Sequence, residues 1–136
     1  MVTGFEEYTY EPTEFEEQIV MPLIIDFWDK REIGEKANMV DMIADVNGWI
    51  EKLNEEKKPW EKKYKKVAGP RMRKIVQYIR VYAMVPNLVA NSRGYFRTDD
   101  IEEIQKFIDS CRERANSFHT TMLAMIDQRN KMYRSV

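Results

Sequence analysis

The segment from Gly69 to Thr98 constrains the fold more than any other part of this sequence. It opens with Gly-Pro, a typical helix start, because proline in the first turn gives up no hydrogen bond that the helix would make. Apolar residues then recur at three- and four-residue spacing. Two β-prone runs follow at once, joined by the turn-rich sequence Asn-Ser-Arg-Gly. The segment therefore predicts a helix over about 70–84 that leads into a β-hairpin, with strands near 87–90 and 94–97.

The predicted helix has two chemically different faces. At 100° per residue, one face is apolar and the other is basic and polar. Arginine can form paired hydrogen bonds with guanine in the major groove, and glutamine can do so with adenine. The sequence contains no acidic residue between Glu61 and Asp99, whereas ordinary surface helices usually include glutamate. We therefore predict a DNA-recognition helix whose contacts come from Arg71, Arg73, Lys74, Gln77, Tyr78 and Arg80.

Charge is strongly segregated along the chain, although the net charge is only −1. Residues 1–26 carry −7 and residues 52–98 carry +10. Nucleic-acid binding depends on where positive charge lies and not on its average. We predict phosphate contacts from the lysine-rich segment and the hairpin, namely Lys62, Lys63, Lys65, Lys66, Arg93 and Arg97. The alternative interpretation is that the lysines only solvate a surface.

Residues 49–68 link this region to the preceding one. Aromatic and apolar residues recur there at near-helical spacing, with lysines between them, and Pro59 interrupts any continuous helix. We predict a basic insertion of two short amphipathic pieces, with the aromatic side chains inward, including Trp60 and Tyr64.

The N-terminal part predicts an acidic arm over 1–12 and then a helix. Thr13 and Glu16 form a capping-box pattern, Thr-x-x-Glu, at the helix start. Apolar residues follow at four-residue spacing, and Pro22 should kink this helix or begin a second one. A further short helix near 39–46 has Gly48 as its expected stop. The apolar stripe of the first helix is predicted to be Phe15, Ile19, Leu23 and Phe27, with Ile24 and Trp28 beside it.

The motifs of the central segment resemble a known family. The order Gly-Pro-Arg-Met-Arg-Lys-Ile-Val-Gln-Tyr-Ile-Arg, then Asn-Leu-Val-Ala-Asn-Ser-Arg-Gly-Tyr-Phe, then an acidic helix start, resembles small winged helix-turn-helix proteins of tailed bacteriophages. The resemblance covers roughly residues 34–125 and is best over 69–118. It implies a mainly helical winged-helix fold with a small hairpin, double-stranded DNA as the partner, and a role in transcription regulation or as a replication accessory factor. By the same likeness Arg71, Arg73 and Gln77 lie on the recognition helix and Arg93 lies in the wing.

The last segment, 99–136, predicts a long helix. Asp99 and Glu102 form a capping pair, and the acidic residues of the first turn suit the helix dipole. Small and apolar residues then alternate by three and four, the heptad pattern of coiled coils. This stripe either packs against the first helix or forms a homodimer seam. Its members are Ile101, Ile104, Ile108, Cys111, Ala115, Phe118, Met122 and Met125.

The sequence offers little support for an enzyme. His119 is the single histidine, with no carboxylate or cysteine at metal-ligand spacing, and Cys111 lies on the heptad stripe as a small apolar residue. No glycine-rich phosphate loop is present, so we expect no cofactor and no metal. There is no export signal and no apolar run long enough for a membrane span, which predicts a cytoplasmic protein, in the host cell if phage-encoded.

Three domains are therefore expected: the arm 1–12, a winged-helix domain over 13–98, and the helix 99–136. The alternative function is a non-enzymatic adaptor that keeps the winged-helix shape and docks partner proteins, with the acidic arm as one docking element.

Overall fold

The computed structural model describes residues 10–135, so most of the predicted acidic arm lies outside the described residues. The chain divides into two compact units, one that ends at Asp99 and one that begins at Asp100. Over residues 10–135, the first unit holds three helices and a hairpin, and the second holds one helix. In chain order the elements are a π-helical turn Glu16–Val20 that continues into α1 Met21–Asp29, then α2 Met39–Glu55, α3 Gly69–Val81, β1 Leu88–Asn91, β2 Gly94–Arg97 and α4 Ile101–Arg134. The mainly helical fold with a two-stranded hairpin is confirmed.

The first helix begins with the predicted capping box. The Thr13 amide donates to a Glu16 carboxylate oxygen at 2.8 Å, and the Glu16 amide donates to the Thr13 hydroxyl at 3.2 Å. Pro22 lacks an amide hydrogen, and the turn before it has π-helical bonding, with the Met21 amide on the Glu16 carbonyl. This wider turn changes the phase of the helix. From Val20 onward the fully buried side chains are Val20, Met21, Ile24 and Trp28. Of the predicted stripe, Phe27 is buried, whereas Phe15, Ile19 and Leu23 are only half-buried.

The core of the first unit lies between α1, α2 and α3. Each helix contributes residues at three- and four-residue spacing, as a one-sided apolar stripe requires. From α2 these are Met42, Val46 and Ile50. Helix α2 therefore continues through Gly48, and the predicted stop there is wrong, because the side chains on both sides of Gly48 pack into one core. The buried side chains of α3 are Met72, Ile75, Val76 and Ile79.

The first strand of the hairpin lies one residue later than predicted at both ends, and the second strand has the predicted bounds. Its antiparallel register pairs Leu88 with Arg97 and Asn91 with Gly94 around a two-residue turn. Ala37, in the segment before α2, forms a bridge to Tyr95 on the outer side of β2, with bonds of 2.9 and 2.8 Å. The hairpin is thus joined to the helices by backbone hydrogen bonds as well as by the burial of Leu88.

Gly94 is required by this bridge. Its φ of +129° is rarely adopted by residues with a side chain, and a Cβ atom there would lie 2.9 Å from the Ala37 carbonyl oxygen. We expect Gly94→Ala to destabilise the protein by about 2 kcal/mol, since both the backbone and the bridge must move. Urea unfolding measures this, with Gly48→Ala as the control, because Gly48 is helical and has open space around it. If the two variants have equal free energies of unfolding, the Ala37–Tyr95 bridge does not contribute to the stability of the protein.

Helix α4 is the helix of the second compact unit. It has 34 residues, and none of its described side chains is buried. Its N-cap is Asp100, whose side chain accepts from the Glu102 amide at 2.9 Å, and not Asp99 as predicted. Among residues 10–135, no helix is both long and apolar enough to cross a membrane.

Candidate nucleic-acid interface

Helix α3 presents the polar face that the sequence predicts. Arg73, Lys74 and Gln77 are exposed, while the opposite face packs into the core. The helix ends at a Schellman motif, in which the Met84 amide donates to the Ile79 carbonyl at 2.9 Å and Ala83 has a φ of +51°. The exposed side chains therefore project from a helix that is fixed on its inner side and at its C-terminus.

Arg71 has a structural role instead of the predicted DNA contact. Its guanidinium forms a paired salt bridge with the Glu16 carboxylate, with two N–O distances of 2.5 Å. Glu16 is 4% exposed and also accepts from the Tyr10 hydroxyl at 3.1 Å. The hydrogen bonds from Arg71 lower the pKa of Glu16 from 4.5 to about 2. Sequence spacing alone could not reveal this pair, because its partners lie far apart in the chain.

Two further arginines of the predicted contact set also hold the fold together. The Nε of Arg80 donates to the Leu88 carbonyl at 3.0 Å and so ties α3 to β1. Arg97 donates from its guanidinium to the Arg31 carbonyl and so ties β2 to the loop after α1. Buried or half-buried carbonyls need such donors. We therefore remove Arg71, Arg80 and Arg97 from the candidate contact residues.

Tyr78 lies at the edge of the α3 face and is half-buried in an aromatic cluster. Its ring lies 5.6 Å from that of Tyr10 and 4.5 Å from that of Tyr82, measured between centroids. Burial raises the pKa of its hydroxyl. The Tyr78 ring is therefore occupied mainly by packing against other aromatic rings. It is a weaker candidate for base contact than the neighbouring Gln77, which is exposed, and we leave it out of the contact set.

The lysine-rich segment before α3 is clamped to α2 by two asparagines. The side-chain amide of Asn47 accepts from the Val67 amide at 2.8 Å and donates to its carbonyl at 3.1 Å. In the same way, the side-chain amide of Asn54 accepts from the Tyr64 backbone amide at 2.8 Å and donates to the Tyr64 carbonyl at 2.9 Å. Each clamp imitates the pairing of two backbone strands. The two asparagines are seven positions apart, about two helical turns, so both lie on one face of the helix.

The clamps decide which side chains of this segment point outward. Tyr64 turns inward and stacks on Phe15 at 4.9 Å, and Val67 is buried. The four lysines of the predicted phosphate set, Lys62, Lys63, Lys65 and Lys66, are all exposed. The predicted inward packing of the aromatics is confirmed for Tyr64 and is wrong for Trp60, which is 78% exposed. The second predicted amphipathic piece is not a helix, because residues 56–68 contain no helix.

The loop lysines and the start of α3 belong to one surface. A shallow pocket of about 270 Å³ is lined by Lys65, Lys66 and Ala68, and also by Arg71 and its ion-pair partner Glu16. Ala68, the N-cap of α3, has no side-chain hydrogen bond to the helix. The positive end of the helix dipole therefore lies beside two exposed lysines, an arrangement that suits a phosphate group.

Arg93 lies at the tip of the hairpin. Its amide donates to the Asn91 side chain at 2.8 Å, which shapes the two-residue turn. The Arg93 side chain is exposed, in contrast to Arg97 on the same hairpin. The residues that remain as candidate contacts are Lys62, Lys63, Lys65, Lys66, Arg73, Lys74, Gln77 and Arg93, and we refer to them as the basic surface.

Sequence reasoning missed two features of this region. The asparagine clamps depend on partners that lie 10 and 20 residues away in the chain. Trp60 is presented to solvent beside Lys58, whose ammonium lies 5.3 Å from the indole centroid. Exposed tryptophan next to lysine can stack on a nucleic-acid base.

Over residues 10–135, no group of three His, Cys, Asp or Glu could hold a metal ion. Comparison with models of protein families, with curated proteins and with solved structures gave no match.

Proposed function

We propose that this chain is a winged-helix protein that binds double-stranded DNA through the basic surface. The observation that carries the proposal is the exposed Arg73, Lys74 and Gln77 face of α3, directly after four lysines that the Asn47 and Asn54 clamps turn outward. Helix α3 would lie in the major groove and read base edges through Arg73 and Gln77. The lysines would hold the phosphates on either side.

The winged-helix assignment rests on the order and pairing of the elements. Three helices precede a hairpin, and the short segment at Ala37 between α1 and α2 pairs with the second strand. In this arrangement the hairpin is the wing, and Arg93 at its tip would contact a phosphate or the minor groove. The biological role that we propose is regulation of transcription or assistance to replication, since both need a protein that recognises a duplex.

Titration of a random duplex at several salt concentrations tests the proposal. If the four loop lysines, Lys74 and Arg93 each neutralise one phosphate, the logarithm of the binding constant falls by about 5 per tenfold rise in salt. Replacing the four loop lysines by glutamine should reduce that slope by about 3 to 4. Replacing Lys106 and Lys131 of α4 serves as the control. A chain that shows no salt-dependent binding to duplex DNA would overturn the proposal.

The same assay separates DNA binding from the adaptor alternative. Trp60 is a large apolar side chain in an otherwise polar loop, and such side chains occur at protein interfaces as well as on bases. A surface that docks only proteins would give no salt-dependent binding to the duplex. Single-stranded DNA as a competitor tells whether Trp60 stacks on unpaired bases, because Trp60→Ala would then weaken only the binding of the single strand.

The acidic arm is predicted to compete with DNA for the basic surface. Glu6, Glu7 and Glu11 carry no neighbouring positive charge, and Tyr10, where the described structure begins, already packs against α3. Replacing the three glutamates by glutamine should tighten DNA binding several-fold at low salt, since competition between charges is screened by salt. The control is Glu113→Gln with Asp127→Asn on α4. An unchanged affinity at every salt concentration would rule out competition by the arm.

A further inference from the structure

The exposed heptad stripe of α4 continues beyond the residues that the sequence analysis named. Counting from Ile101 as position a, the a and d positions run on through Arg129 and Met132. Phe118 is 76% exposed, Met125 55% and Met132 72%. A helix of 34 residues is about 51 Å long. A stripe of this length, with no buried side chain in the described helix, needs an apolar partner.

The charges on α4 are separated between its two ends. The first turn carries Glu102 and Glu103, and the last turn carries Lys131 and Arg134. A parallel partner would place acid beside acid and base beside base. An antiparallel copy of the same helix would place each acidic end beside a basic end, and it would also oppose the two helix dipoles. The ends of α4 are therefore complementary to a second copy that runs in the opposite direction.

We infer that two copies of this chain pair through α4 as an antiparallel coiled coil. In such a coiled coil, a residues face d residues of the other helix. The register that centres the stripe places the small Ala115 opposite the large Phe118 of the second copy, and the small Cys111 opposite Met122. Ile108 then faces Met125. In the four central layers each small side chain therefore faces a large one, as close packing requires.

The parallel alternative packs the same residues poorly. In register, Phe118 would face Phe118 and Ala115 would face Ala115, which crowds one layer and leaves a gap in the next. Arg129 at an a position would face its own copy and place two like charges within the seam. In the antiparallel register, Arg129 faces Ile104 and not a second Arg129. The long arginine side chain can then cover the apolar neighbour and keep its charge in water.

Cys111 distinguishes the two orientations in the wild-type chain. In the parallel pair the two Cys111 residues would face each other across a d layer. In the antiparallel pair they are eleven helical positions apart, about 17 Å along the axis, and a disulfide spans at most about 7 Å between Cα atoms. Mild oxidation of the full-length dimer should therefore yield no disulfide-linked species.

Sedimentation equilibrium and directed crosslinking test the inference on the full-length chain. We expect twice the chain mass of 16.3 kDa at micromolar concentration. In a Cys111→Ser background, Ile108→Cys and Met125→Cys should each fail to crosslink alone and should form a disulfide-linked dimer when the two proteins are mixed. Crosslinking of either protein alone, a monomer, or an assembly larger than two chains would overturn the antiparallel dimer.

A charge substitution supplies a second measurement. Phe118→Glu should raise the dimer dissociation constant at least 100-fold, because it places a carboxylate in the centre of the seam. The control is Thr120→Glu, two residues along on the outer face, which should leave the dissociation constant within a factor of three. Equal effects of the two substitutions would show that the stripe is not the seam. A monomer that still binds duplex DNA would leave the proposed function standing.

Discussion

Replacing Arg73 and Gln77 together with alanine is expected to weaken binding to a preferred duplex by about 1–3 kcal/mol for each lost base contact. This corresponds to roughly 5- to 150-fold per contact. Both side chains are exposed on α3 and lie four residues apart, so they project from one face of the helix. The double variant should also lose preference among sequences, because base contacts specify and phosphate contacts only position. Competition binding with a selected duplex and a scrambled one measures both effects.

The matched control removes the same residue types elsewhere. Arg134 lies in the last turn of α4 and Gln18 lies on the exposed side of the first helix. Arg134→Ala with Gln18→Ala should leave both affinity and preference unchanged. If Arg73 and Gln77 can be removed with no greater effect than this control, α3 does not read bases. A loss of affinity with the preference intact would instead assign Arg73 to phosphate contact.

Glu16 should make the stability of the first unit depend on pH. The carboxylate has a pKa of about 2 in the folded protein, below its ordinary value of 4.5, chiefly because Arg71 donates to it. A lowered pKa means that the unfolded chain binds the proton more tightly. The stabilisation is therefore complete above about pH 5.5 and is lost as the pH falls from 4.5 towards 2. Its full size is on the order of 3 kcal/mol.

Glu16→Gln should remove this contribution. The variant should be less stable than the wild type at pH 7, and the two should converge as the pH approaches 2. Urea unfolding at several pH values gives the comparison. Glu17→Gln is the control, since Glu17 is the exposed neighbour on the same turn and should leave the pH dependence almost unchanged. A constant difference between Glu16→Gln and the wild type from pH 7 to pH 2 would mean that the charge of Glu16 does not stabilise the fold.

The same residue pair also limits the proposed DNA-binding surface. Arg71 was the first residue of the predicted recognition set. It is not part of the basic surface, because its guanidinium is bonded to Glu16. A sequence pattern predicts that an arginine lies on a given face of a helix. It does not predict which carboxylate from another part of the chain will pair with that arginine. The pairing is decided by how the first helix packs against α3, and that packing depends on the buried Val20, Met72 and Ile75.

Local patterns were sufficient wherever neighbours along the chain decide the structure. The Thr13–Glu16 capping box, the α3 stripe and the Asn-Ser-Arg-Gly turn all follow from contacts within four residues, and the structure has each of them. Patterns failed where packing overrules propensity. Gly48 did not end α2, because a glycine inside a helix costs only about 1 kcal/mol relative to alanine and the flanking side chains share a core.

Only the tertiary structure decided which basic residues face solvent. Arg71, Arg80 and Arg97 bond to the Glu16 carboxylate and to two backbone carbonyls, while the four loop lysines turn outward because Asn47 and Asn54 hold the loop from the other side. By itself the sequence determined the charge of the region and the periodicity of its helices, because both are properties of neighbouring residues. The direction of each basic side chain depends on partners 8 to 66 residues away, and only the folded chain brings those partners together.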